Sequence, residues 1–187
     1  MKVTVVYESM FGNTHDVAEA ISDGIRQANP AAEIHCVPIG EASAEVGSTD
    51  LLVVGGPTHM RGMTSGFSRK MGVSAEEKSE AKGEPAHELE PEAEGPGLRE
   101  WFDGLQRIGD GKNAAAFDTR LGSPLAGGAA NGIARRLRKH GYHLVSDPEG
   151  FVVDDAYGPL RAGEIDRAKQ WGAQLVQTSK ATGPHIS

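Results

Sequence analysis

The sequence predicts an α/β fold, a doubly wound five-stranded parallel sheet in strand order 2-1-3-4-5 with helices on both faces. Three observations predict it. Short apolar runs alternate with longer amphipathic ones, the pattern of repeated βαβ units. The third apolar run, Leu51-Leu52-Val53-Val54, has no polar interruption, as expected of a strand covered on both faces. The first strand–helix junction, Tyr7 to Thr14, carries an anion-binding turn, which places a ligand at the carboxyl ends of strands 1, 3 and 4.

Each element follows from its residues. Val3 to Tyr7 is the first strand. Val17, Ile21, Ile25 and Ala28 recur at one-face spacing, so a helix follows, and Asn29-Pro30 stops it. Glu33 to Ile39 alternates into a second strand. Gly40 to Thr49 is small and polar, at most a short helix. After the third strand comes Gly55-Gly56-Pro57-Thr58-His59-Met60-Arg61-Gly62-Met63. Leu98, Trp101, Phe102, Leu105 and Ile108 mark a helix face, with Trp101 in the core and Gly109 to Gly111 ending the helix. Asn113 to Phe117 is the fourth strand, with Asp118-Thr119-Arg120 at its exit. The glycine-rich stretch from Gly122 to Gly128 leads into a helix carrying Ala130, Ile133, Ala134 and Leu137, ended by Gly141. Tyr142 to Val145 and Phe151 to Val153 form a split fifth strand. The last helix carries Ile165, Ala168, Gly172, Leu175 and Val176.

Residues 1–178 thus read as a single domain, with an insertion at 68–97 and a flexible tail at 179–187. Between Ser74 and Gly97 there are eight glutamates and two lysines, no aromatic residue, and three prolines. Such a stretch buries too little apolar surface to offset its ordering entropy, so it reads as an acidic surface loop after strand 3.

Composition excludes several functions. A formal charge of −7 argues against nucleic acid, whose phosphates need clustered Lys and Arg. It suits a redox partner protein with a basic docking surface. The single cysteine, Cys36, excludes an internal disulfide and reads as a buried, inert thiol in a reducing compartment. No run is long enough to cross a membrane, and the expected location is cytoplasmic. The seven histidines show no metal spacing, and there is no G-x-x-x-x-G-K-[ST] loop for nucleotide hydrolysis. We expect no metal ligands and no catalytic side chain.

The first junction offers Ser9, Gly12, Asn13 and Thr14 where a helix begins. The first N–H groups of a helix have no partner inside it, and its dipole leaves that end partly positive. Gly12 lets the backbone come close or take positive φ. From Val3 to Asp16 there is no Lys or Arg, so the anion would be held by neutral donors. That suits a phosphate that stays bound and is not transferred. The alternative is an ordinary βα turn with a Ser/Thr cap.

Tyr7-Glu8-Ser9-Met10-Phe11-Gly12-Asn13-Thr14 resembles the FMN phosphate loop of flavodoxins. Gly56-Pro57-Thr58-His59 resembles the loop after strand 3 in flavodoxins and in flavodoxin-like quinone reductases. Asp118-Thr119-Arg120, with Gly158-Pro159-Leu160 and Gly163-Glu164, resembles flavodoxin-family proteins of actinobacteria and archaea. The resemblance implies FMN bound by Ser9, Met10, Phe11, Gly12, Asn13 and Thr14, by Pro57, Thr58, His59, Met60, Arg61 and Gly62, and by Asp118, Thr119, Arg120 and Leu121. Arg120 would meet the ring's pyrimidine edge, where charge builds up on reduction, and Gly62 would allow a peptide flip. Two departures stand out. Phe11 replaces a frequent Thr, and Glu8 is expected to point away from the phosphate. The Trp and Tyr that usually sandwich the ring are missing from the loops after strands 3 and 4. His59 and Met60 would pack on one face, and Leu121 or the Thr119-Arg120 backbone on the other. The missing stacking, roughly 0.5–1.5 kcal/mol per aromatic pair, implies weaker binding and a more open ring.

Three functions fit. The first is an FMN-binding electron carrier, reduced in two separate one-electron steps. The second is an FMN-dependent quinone or NAD(P)H oxidoreductase, which would oxidise NAD(P)H steadily with a quinone acceptor. The third is a flavodoxin-like module that has lost the cofactor and fails to bind added FMN. The carrier is favoured.

Overall fold

The structure, a computed structural model, describes residues 1–42, 46, 48–58, 63, 70, 73–74, 76–77, 89–91, 97–108, 111–123 and 128–181. Its strands are β1 (Lys2–Tyr7), β2 (Glu33–Pro38), β3 (Leu51–Pro57), β4 (Asn113–Leu121), β5 (His143–Leu144) and β6 (Glu149–Val153). Its helices are α1 (Asn13–Ala28), α2 (Leu98–Gly104), α3 (Ala130–Lys139) and α4 (Glu164–Ala181). The sheet is parallel in the order β2-β1-β3-β4-β5, and β6 also pairs with β4. β5 and β6 are the two halves of the split fifth strand. β5 lies beside Asn113 and Ala114, β6 beside Phe117 to Leu121.

Side chains alternate between the two faces with the two-residue period of a strand. Val3, Val5, Tyr7, Leu51, Val53, Ala115, Phe117 and Phe151 pack with α1 and α4. Val6, Leu52, Val54, Ala114 and Ala116 pack with α2 and α3. Cys36 in β2 is half-buried, and burial pushes its thiol up to about 12, so it is inert at neutral pH. No helix among the described residues is long and apolar enough to cross a membrane.

Three boundaries differ from expectation. β4 runs to Leu121, because β3 pairs with it as far as Thr119 and β6 as far as Leu121. The residues expected at its exit are therefore inside the strand. α2 ends at Gly104, since Leu105 is extended, yet Leu105 and Ile108 still pack on the cluster that holds Trp101. α4 runs to Ala181, past the boundary expected at 179. Ser179 is buried there, its hydroxyl donating to the Leu175 carbonyl at 2.7 Å. The acidic stretch from Ser74 to Gly97 lies mostly outside the described residues.

Candidate functional site

Three strand ends and the start of α1 converge on one cavity. At the exit of β1 the Ser9 hydroxyl accepts the Gly12 N–H at 3.1 Å, which closes the turn. Gly12 is the N-cap of α1 at φ +83°, the left-handed region that a Cβ disfavours. No side chain caps α1, so its first N–H groups remain available to a ligand. Thr14 is buried and shares a 2.8 Å hydrogen bond with the Thr119 hydroxyl, which ties the helix to β4. The Asn13 amide donates to the Tyr157 carbonyl at 3.0 Å. Gly158, at φ +106°, makes room for that amide, since a Cβ there would lie 2.5 Å from Asn13 Oδ1.

The cavity measures about 250 Å³. Ser9, Met10, Phe11, Asn13 and Thr14 form one wall, Pro57 and Thr58 the end of β3, and Thr119, Arg120 and Leu121 the end of β4. Ten of the sequence-derived site residues thus meet at one place. Gly12 shapes the loop behind them. His59, Met60, Arg61 and Gly62 lie outside the described residues. Asp118 is set below the cavity and does not line it. It is fully buried, and its Oδ2 accepts the Ala130 N–H at 2.8 Å at the start of α3. The Thr58 hydroxyl accepts the neighbouring Ala129 N–H at 3.0 Å. Burial raises the Asp118 pKa above the usual carboxylate range, against the pull of the Ala130 N–H and of Arg120. Arg120 Nε lies 3.6 Å from Asp118 Oδ1, and the guanidinium folds back over Gly150, where a Cβ would come within 2.1 Å of it. Glu8 turns into the protein, away from the loop, and its Oε2 accepts the Leu98 N–H at 2.9 Å.

Sequence reasoning missed four lining residues: Glu76, Val153, Ala156 and Tyr157. The signal for the last three was available, because Val153 ends the fifth strand, Ala156 and Tyr157 follow it, and its end lies beside the end of β4. Sequence reasoning also missed Glu90. Its N–H donates to the Met10 carbonyl at 2.8 Å, and its carboxylate meets His15 Nδ1 at 3.2 Å. His15 in turn stacks on Tyr7 at 4.7 Å.

The profile of the family described as Flavodoxin matches residues 5–90, which include the turn and the end of β3. These residues, just under half of the chain, are similar to the flavodoxin family. Flavodoxins are FMN-binding proteins. The fold is that of solved flavodoxins. One from the domain Archaea is 22% identical with a TM-score of 0.62, over 96% of this chain and 99% of that one. Oxidised Flavodoxin 1 from Bacillus cereus is 19% identical with a TM-score of 0.63, over the full length of both chains. A short-chain flavodoxin associated with a non-canonical PDU bacterial microcompartment is 18% identical with a TM-score of 0.64, over 96% and 99%. No curated protein sequence matches the chain.

The site fits the flavodoxin cofactor on its own chemistry. A left-handed glycine before an uncapped helix N-terminus suits a phosphate. The cavity is small against the roughly 300–1,000 Å³ of typical ligand pockets, which suits a ligand left partly exposed. Among the described residues Arg120 is the cation that lines it.

Proposed function

We propose that this chain is a flavodoxin-family protein that binds FMN in the cavity and carries electrons between redox proteins. The observation that carries the reading is the turn at 9–14, whose uncapped helix start opens onto a cavity walled by the ends of β3, β4 and β6. FMN, when bound, accepts and returns electrons, so the chain has to supply binding and electrostatics and no reacting side chain. The N–H groups at the start of α1 and the Asn13 amide would hold the phosphate. Arg120, fixed by Asp118 and Gly150, would stabilise negative charge on the reduced ring. Glu76, which lines the same cavity, would oppose it and make reduction harder. The net charge of −7 suits a partner with a basic docking surface.

The test is a visible absorption spectrum after incubation with FMN and desalting, followed by stepwise anaerobic reduction. Flavin bands that stay with the protein, reduced in two separate steps, are expected. Reduction in a single two-electron step with steady NAD(P)H oxidation overturns the carrier in favour of an oxidoreductase. A colourless protein overturns both.

A further inference from the structure

We propose that Tyr157, presented by the loop after β6, is the aromatic side chain that covers the bound flavin, with Phe11 as its support. The inference rests on the FMN reading above and names a residue that the first turn and the ends of β3 and β4 do not supply.

Two large apolar side chains among the described residues are exposed, Leu121 at 41% and Tyr157 at 42%. Both line the same cavity. Burial is the rule elsewhere in the described chain, so an exposed pair at the mouth of one cavity marks a surface kept for an apolar ligand face. A flavin ring is flat and largely apolar on both faces. An aliphatic side chain and a phenol on the rim suit those faces.

The loop that carries Tyr157 is held in place. Its carbonyl accepts the Asn13 amide at 3.0 Å, and Gly158 takes the positive φ that leaves room for that amide. The Asp154 N–H donates to the Pro159 carbonyl and the Gly158 N–H to the Asp155 carbonyl, each at 3.0 Å. The Tyr157 ring meets the Phe11 ring edge-on, with centroids 5.0 Å apart and planes at 82°. A fixed backbone with a half-exposed ring is the arrangement of a preorganised contact, which loses little entropy when a ligand arrives.

Among the described residues, Phe11 and Tyr157 are the aromatic side chains of the cavity lining. Phe11 packs against the cluster of Met10, Val73 and Leu89 and presents its ring to Tyr157. Tyr157 is therefore the ring placed to face a ligand. Phe11 takes on a role that a hydroxyl at that position could not fill. Asn13 joins both halves, since it starts the phosphate-binding helix and fastens the Tyr157 loop.

The experiment compares wild type, Y157F and Y157A by FMN titration, reading affinity and flavin fluorescence. A phenol stacked on a flavin quenches its emission by electron transfer, and a phenyl ring does not. We expect Y157F to bind FMN as wild type does but with brighter bound flavin, and Y157A to bind roughly two- to tenfold more weakly and also brightly. If both variants bind and quench like wild type, the inference is overturned. If wild type takes up no FMN, the FMN reading itself fails. Should Y157A not fold, the fluorescence of bound Y157F still decides, because a merely structural tyrosine would leave it unchanged.

Discussion

Replacing Gly12 by alanine tests the turn directly. Gly12 sits at φ +83°, and a Cβ built there meets nothing closer than Glu90 Oε1 at 3.4 Å. Steric overlap is therefore not the issue, and the cost is that of an L-residue in the left-handed region, about 1–2 kcal/mol. That strain can appear in two places. If the apoprotein keeps the turn, G12A loses about 1–2 kcal/mol of folding stability and FMN affinity is unchanged. If the apoprotein relaxes the turn and FMN restores it, stability is spared and affinity falls by roughly 5- to 30-fold. The two losses should sum to the same 1–2 kcal/mol. Urea unfolding of the apoprotein and FMN titration by fluorescence measure both. A combined loss below about 0.5 kcal/mol would refute the left-handed turn. A loss far above the range would mean that the Ser9–Gly12 hydrogen bond also breaks.

Three further predictions probe the neighbouring groups. A Cβ at Gly150 would lie 2.1 Å from the Arg120 guanidinium, a flexible tip, so G150A should displace Arg120 without disturbing the core. It should then shift the flavin reduction potential in the same downward direction as R120Q, and potentiometry showing opposite shifts would sink the assignment of Arg120. T14A leaves the buried Thr119 hydroxyl without its partner, for about 1–3 kcal/mol in urea unfolding, and the T14V/T119V pair should recover part of it. Burial raises the Asp118 pKa in the fold, so this carboxyl favours folding most below the unfolded value of about 3.9 and loses that contribution as pH rises through the folded value. D118N keeps an oxygen for the Ala130 N–H and removes the titration. Its stability relative to wild type should therefore rise with pH across that window, and a flat difference in thermal melts would contradict the raised pKa.

The fold was legible because its signals are local. An unbroken Leu51–Val54 run demands cover on both faces, and the spacing of Val17, Ile21 and Ile25 allows one buried face, as observed. The strand order followed from the anion turn at the end of β1. The ends of elements were less legible, because tertiary partners set them. Asp118 to Leu121 look like a loop in sequence, and they are strand because β6 lies beside them. The site shows the same division. The turn at 9–14 reads from its own residues. Asp118 carries no local sign that it faces the start of α3 instead of the cavity. Tyr157 lies 144 residues from Asn13, and no spacing rule connects them.

Glu90 is the least expected neighbour of an anion site, and its charge can be weighed. Its carboxylate lies 3.4 Å from where a Gly12 Cβ would be, beside the α1 N-terminus, and a separation of roughly 7 Å from a phosphate there serves to scale the effect. At that distance each pair of unit charges repels by about 0.6 kcal/mol in water and about 2.4 kcal/mol at an effective dielectric of about 20. Glu90 is mostly buried, at 20% exposure, so screening is incomplete, and its contact with His15 offsets only part of the repulsion. The segment nevertheless has a reason to be there: the Glu90 N–H bonds the Met10 carbonyl, and Leu89 packs on the cluster of Met10 and Val73. It braces the turn while its carboxylate works against the ligand. E90Q separates the two effects, because the amide keeps the shape, the backbone bond and an acceptor for His15. FMN should bind E90Q several-fold more tightly than wild type at low ionic strength, and the advantage should shrink as salt screens the repulsion. Equal affinities at low salt would mean that no anion binds at the start of α1. Weaker binding by E90Q would mean that the Glu90–His15 contact, and not the backbone bond, holds the turn in place.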